Sequence, residues 1–429
     1  MEKQTPAWPP VERREIFAWA MFDFANSSYT TIIVTVAFAV FFRQVVATGP
    51  NADAMWGFAV SLANTVVLLL SPLMGAVADE SGRKKGFLFA SYIVCVGGTA
   101  ALALVGPGDV SLGVSLFVVS MVAFSFGENF TAAFLPEIST PANVGRISGF
   151  GWGFGYIGGL TILILVKPLI AKGFTVENLP NLKAAWLATA AFFLVAGLPT
   201  FLILRERAVR GQHSLLHYAK SGLGRVFSTF SEVRRFRELA KFLLVFFIFS
   251  CGLTSIIAFV GVFAEHTLHF AAGELIGLFI VVQLSSALGA VAFGVVQDRL
   301  GARLTLQIAL VIWMLVCIGV FYTRDKNVFW GLALFAGLGI GSLQSAARGM
   351  VGSFSPVEKS GEFFGFWGLA GKAAYAIGPA VFGLVSSWSG SQRWAVLATL
   401  FFFAVGFVAL FSVNEKRGIE AAAQWRRER

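Results

Sequence analysis

Charge is scarce in this chain. Asp, Glu, Lys and Arg make up 13% of its 429 residues and hydrophobic residues 57%, with a mean hydropathy of +0.76. A soluble domain usually carries roughly 25% charged residues, so the string of soluble domains that length alone would suggest is excluded. Cysteine is scarcer still. Cys95, Cys251 and Cys317 all fall in apolar runs, so free, buried thiols are expected and no disulfide framework. Histidine numbers four. His266 and His269, with Glu265, stand at the end of an apolar run, and a metal site needs three or four converging ligands. The trio reads as a polar helix end, and neither metal nor cofactor is expected. No zincin, phosphate-loop, nucleophile-elbow or dinucleotide pattern stands in a suitable context, so an enzyme is the least expected class. Pro9, Pro10 and the acidic residues near them do not fit a cleavable signal peptide.

What the chain has is long apolar runs. Twelve can be read, at about 16–43, 54–78, 86–106, 111–135, 147–170, 183–204, 240–264, 273–297, 304–323, 328–350, 362–388 and 393–413. Each approaches the roughly 20 helical residues that cross a hydrocarbon core of ~30 Å. Continuous apolarity argues for helices, because a barrel strand alternates polar and apolar residues. A charged turn follows the second run, Gly75-Ala-Val-Ala-Asp79-Glu-Ser-Gly82-Arg83-Lys84-Lys85. It recurs after the eighth as Gly294-Val-Val-Gln-Asp298-Arg-Leu-Gly301-Ala-Arg303. Gly75, Asp79 and Gly82 match Gly294, Asp298 and Gly301 at one offset of 219 residues. An internal repeat at half-chain spacing predicts two related halves. The expected fold is an all-α integral membrane protein with twelve transmembrane helices in two pseudo-symmetric six-helix bundles. Its parts would be an N-terminal tail (1–15), a first bundle (16–204), a linker (205–239), a second bundle (240–413) and a basic tail (414–429).

Lys and Arg concentrate in the loops of one side, in the linker and in both tails, so both termini are expected in the cytoplasm. The net charge of +10 follows from this bias and predicts attraction to anionic lipids rather than nucleic acid. In the linker Phe227, Phe230, Val233 and Phe236 recur every three residues among arginines. That spacing predicts an amphipathic surface helix over 225–238, the alternative being a disordered basic tether. The glycines of Gly149-Phe-Gly151-Trp-Gly153-Phe-Gly155-Tyr-Ile-Gly158-Gly159 predict a close-packed helix face.

The charged turn resembles the cytoplasmic gate motif of the major facilitator superfamily. Further segments resemble one branch of it, the fungal vacuolar amino-acid effluxers and their bacterial relatives. They are Asp23-Phe-Ala-Asn-Ser-Ser-Tyr29, Phe134-Leu-Pro-Glu-Ile138, Gly145 to Gly159, Gln344-Ser-Ala-Ala-Arg348 and Glu362-Phe-Phe-Gly-Phe-Trp-Gly-Leu-Ala-Gly-Lys372. Thr131 and Ala132 depart from it, standing where relatives more often place tyrosine and asparagine. The resemblance implies a secondary transporter that moves a small polar or zwitterionic, amino-acid-like solute by alternating access, as a proton-coupled exporter. It also implies a central cavity lined by the first, fourth, seventh and tenth helices. A bacterial cytoplasmic membrane and a monomer are expected. A lipid flippase or a non-transporting receptor on the same fold are the alternatives.

Ionisable residues inside a membrane are costly and mark functional sites. Asp23, Glu128 and Lys372 lie roughly 10–15 Å deep at a rise of ~1.5 Å per residue. They are read either as a solute or proton site or as a latch between the halves that never touches solute. Asn26, Tyr29 and Gln344 join them as polar candidates, and Trp152, Tyr156, Trp367 and Tyr375 as aromatic ones. Arg348, at the inner end of its span, is placed to reach water or a helix terminus. Gly75, Asp79, Gly82, Arg83, Asp298, Gly301 and Arg303 form the expected gate, in which an aspartate at one helix end accepts hydrogen bonds from a neighbour's first turn.

Overall fold

The computed structural model describes residues 10–207, 218 and 235–428. Among them there is no strand, and twelve helices are long and apolar enough to cross a membrane. The first half holds α1 (Arg13–Val46), α2 (Ala52–Ser81), α3 (Lys84–Leu104), α4 (Val110–Ile138), α5 (Val144–Ile170) and α6 (Leu179–Ile203). The second holds α7 (Arg237–Leu268), α8 (Gly273–Leu300), α9 (Ala302–Tyr322), α10 (Lys326–Phe354), α11 (Val357–Ser389) and α12 (Gln392–Ser412). Many ends lie a few residues beyond the apolar runs, because polar residues such as Asp79 and Lys84 continue the helices. Of the surface helix expected over 225–238, residues 225–234 lie outside the described residues, and Arg237 and Glu238 already belong to α7.

Each half has its own buried core. Trp19, Phe22, Phe117 and Trp186 centre the first; Phe242, Phe249, Trp313 and Phe403 centre the second. The three cysteines are free and buried. The segment after α12 folds as a helix, α13 (Glu415–Arg427), rather than remaining a plain tail. The Asn414 side chain caps it by accepting the Arg417 amide at 3.1 Å, and Trp425 buries against the second bundle.

The halves meet through two equivalent contacts. The second helix of each half packs on the fifth helix of the other, α2 on α11 and α8 on α5. A two-fold relation between the halves requires this pairing. Glycine makes both contacts close. A Cβ on Gly75 would stand 2.0 Å from the Gly361 carbonyl oxygen, and one on Gly294 would stand 2.6 Å from that of Gly145. The α5 glycine run serves two neighbours. Gly149 abuts the Ala290 carbonyl of α8, and Gly158 abuts that of Phe24 in α1.

α1 is not a uniform helix. Its C-terminal part has π-helical turns over Tyr29–Val36 and Phe42–Val46, with Ala37 between them at φ −120°. Such turns shift side-chain register along a helix and recur at functional sites.

Candidate functional site

A cavity of about 530 Å³ opens between the halves. Asp23, Asn26, Glu128, Trp152, Tyr156, Gln344, Trp367 and Tyr375 border it. Spacing explains the clustering on α1. Asp23, Asn26, Ser27, Thr30 and Thr31 fall three or four residues apart and share one helix face. Tyr29, on the same helix, is not among the bordering residues. It is fully buried in the first bundle, its hydroxyl 2.8 Å from the Ser120 hydroxyl and its ring stacked on Phe124. Its placement corrects the expectation that it faces the site.

Two pairs of opposite charge bridge the halves here. Lys372 Nζ of α11 lies 3.9 Å from Glu128 Oε2 of α4. Arg348 Nη1 of α10 donates to Asp23 Oδ2 of α1 at 2.7 Å. The two differ in kind. The Arg348 side chain is only 3% exposed, and its Nε and Nη2 donate to the hydroxyl and carbonyl oxygens of Ser148 at 3.2 and 2.8 Å. Its guanidinium lies between the Trp19 ring (4.7 Å) and the Trp152 ring (5.2 Å). A desolvated cation over an aromatic face gains about 2 kcal/mol, so this pair is held from every side. The Glu128–Lys372 pair is looser and wetter, with side chains 31% and 12% exposed. Tyr156 adds a hydrogen bond across the halves by donating to Gln344 Oε1. Arg348 thus belongs to the site and does not reach for water or a helix terminus. Its signal was the four-residue step from Gln344, which puts both on one face of α10.

On the side of the charged turns, each repeat aspartate clasps the opposite half. Asp79 accepts the amides of Gly361 (2.9 Å) and Glu362 (2.8 Å) in the first turn of α11. Asp298 accepts those of Gly145 (2.8 Å) and Arg146 (3.2 Å) in the first turn of α5. A carboxylate at a helix N-terminus meets unsatisfied amides and the positive end of the dipole. Gly82 ends α2 in the left-handed conformation, φ +60°, which presents Asp79 one turn back; Gly301 takes φ +87° after α8.

The cations of these clasps are not the expected ones. Arg83 is exposed. Lys84 beside it is buried, 2.5 Å from Glu137 Oε1 and 3.8 Å from Asp79, and donates to the Val357 carbonyl and the Ser360 hydroxyl of the other half. Arg303 turns to its own half, toward the Val413 carbonyl and the Phe411 ring. In its place Arg146 Nε meets Asp298 at 2.6 Å. Just past α6, the Arg207 amide donates to Glu137, and its guanidinium pairs with Glu15. Nearby, burial holds the Glu206 carboxyl above its ordinary range despite the Lys85 amide donating to it. Among the described residues no three His, Cys, Asp or Glu converge as a metal centre needs.

A family model described as "Vacuole effluxer Atg22 like" matches residues 51–423. An uncharacterized MFS-type transporter, YxiO of Bacillus subtilis, is 26% identical over 414 residues, covering 95% of this chain and 96% of that protein. Autophagy-related protein 22 of Kluyveromyces lactis is 25% identical over 302 residues, covering 65% of this chain and 60% of its own length. Among solved structures, the human organic anion transporter MFSD10 superposes with a TM-score of 0.73 at 15% identity, over 94% of this chain and all of that one. The proton:xylose symporter XylE gives 0.73 at 13% identity, over 96% of this chain and 98% of its own. These structural likenesses establish the major facilitator fold.

Proposed function

This chain belongs to the vacuole effluxer Atg22-like family of major facilitator transporters, and from that premise we propose that it exports a zwitterionic, amino-acid-like solute coupled to protons. The loop charge bias supports an inner face that carries the gate clasps and both termini, in a bacterial cytoplasmic membrane. With both clasps made, the conformation is then the outward-facing one. Rocking of the bundles would break the clasps and expose the cavity inward.

The observation that carries the reading is the Glu128–Lys372 pair, long at 3.9 Å, partly exposed and bordering an open cavity through Glu128. A zwitterion offers Glu128 an ammonium and Lys372 a carboxylate, and both charges then gain a nearer partner. The Asp23–Arg348 pair is already satisfied, which suits it to be the latch beneath. A carboxylate balanced between burial and a nearby cation can load and release a proton.

Counterflow in proteoliposomes tests this, because exchange needs binding but no net proton movement. Lys372→Met should abolish both counterflow and gradient-driven transport. Glu128→Gln should lose gradient-driven transport and keep counterflow if Glu128 carries the proton, and lose both if it holds the ammonium. Full gradient-driven transport in both variants would place the solute site elsewhere.

A further inference from the structure

The cavity has two unlike walls. The first half contributes hydroxyls, an amide and carboxylates from α1 and α4. The second is mostly apolar and extends past the central space. Trp313, Val316 and Cys317 of α9 and Val396 of α12 border the cavity, although each is 6% exposed or less and belongs to the second bundle's own core. A space lying only between the halves would not reach them. α7 gives independent support. Every residue from Ile256 to Phe263 borders the cavity. One face of a helix repeats every three or four residues, so eight in a row mean open space on both sides of this stretch. The central space lies on one side and an arm inside the second bundle on the other. Stacked rings support the arm, Phe259 on Phe382 at 4.4 Å and Phe263 on Phe329 at 5.9 Å. Its polar atoms are few. They are the Trp313 indole nitrogen and the Cys317 thiol, which sits 3.7 Å from the Thr399 hydroxyl.

We infer that this arm is a subsite for an apolar group. The solute is then an amphipath with a zwitterionic head between Glu128 and Lys372 and an apolar tail longer than any standard aliphatic side chain. The inference rests on the zwitterion reading above and adds the tail to it. A cavity of about 530 Å³ falls in the range that buries a drug-sized ligand, more than a charged head requires. Apolar cavities of this kind stay dry and take apolar guests, whereas a polar group there would lose its hydrogen bonds.

The test is a chain-length series. The full-length protein in lipid nanodiscs is titrated by calorimetry with straight-chain α-amino acids, from alanine to 2-aminodecanoic acid, against empty nanodiscs. Affinity should climb by about threefold to fourfold per methylene into the longest members, as burial of each methylene predicts. Val396→Trp, which fills the arm, should flatten the climb and leave alanine within about twofold of wild type. Cys317→Phe narrows the arm from a second side and should flatten it less. Wild-type affinity that stays level along the series, alanine binding included, overturns the arm and leaves the zwitterion reading standing. Binding of no member overturns both. An equally steep climb in wild type and a folded Val396→Trp overturns the assignment to this arm. The wild-type series decides the matter even where a variant fails to fold.

Discussion

The two copies of the charged turn perform one backbone task with different cations. Asp79 and Asp298 each accept two amides at the start of the opposite half's fifth helix. Around them the repeat breaks down. In the first clasp the aspartate and Lys84 side chains are 0% and 1% exposed; in the second, Asp298 is 6% and Arg146 59% exposed. Lys84 has Arg303 as its counterpart by the 219-residue offset, yet Arg303 turns away. The reason is its surroundings. Glu137 holds Lys84 inward, whereas the Val413 carbonyl and the Phe411 ring hold Arg303 on its own half. The second clasp takes its cation from the opposite helix start, where Arg146 replaces Glu362. A buried clasp is costly to break from one side, because the partner charge is left uncompensated; a half-exposed one costs little, because water takes over.

That contrast is broken most directly by neutralising each aspartate. Asp79→Asn removes the charge from a dry site and leaves Lys84 with less compensation, a loss of about 3 kcal/mol. Inward-facing molecules should rise on the order of a hundredfold, read as maleimide labelling of a cysteine placed in the inner half of the cavity. Asp298→Asn should cost about 1 kcal/mol, because water solvates Arg146 once its partner is neutral. Equal labelling of the two variants would erase the distinction.

The cations sharpen it next. Lys84→Met strands Glu137, but the Arg207 amide still donates to it, so about 2–3 kcal/mol is lost. Arg83→Ala should stay within about 0.5 kcal/mol, as a surface substitution does. Denaturation midpoints and the same labelling assay measure both. An Arg83 effect as large as that of Lys84 would restore the sequence-level assignment.

The spans, the repeat and a few polar residues of the cavity, Asp23, Asn26 and Glu128 among them, were legible because they rest on local pattern. Apolar run length set the helices, and a fixed offset located both aspartates. Three-to-four spacing put Asp23 with Asn26. What stayed hidden depends on tertiary partners. Arg83, Lys84 and Lys85 are consecutive basic residues at a helix start, pointing in different directions, and only Glu137 and the Val357 carbonyl select Lys84. Tyr29 looked equivalent to Asn26 on α1 until Ser120 and Phe124 showed it facing the bundle interior. Arg348 sits near a helix end, where a snorkelling arginine is ordinary. The two indoles beside it come from α1 and α5, and no spacing within α10 announces them.

Among the residues that make the clasps, the smallest effect belongs to Arg146. Its side chain is more than half exposed, so its pair with Asp298 stabilises the clasp by no more than about 1 kcal/mol, whereas the amides of Gly145 and Arg146 survive a change of side chain. Arg146→Gln should therefore raise inner-cavity labelling only about threefold at low salt. Screening should remove the difference. At about 1 M salt the Debye length falls to ~3 Å, and wild type and variant should label alike. The buried Lys84 clasp should not follow salt in this way. Opposite behaviour, with Lys84→Met converging on wild type at high salt and Arg146→Gln not, would mean that the first clasp is the solvated one and the second the dry one.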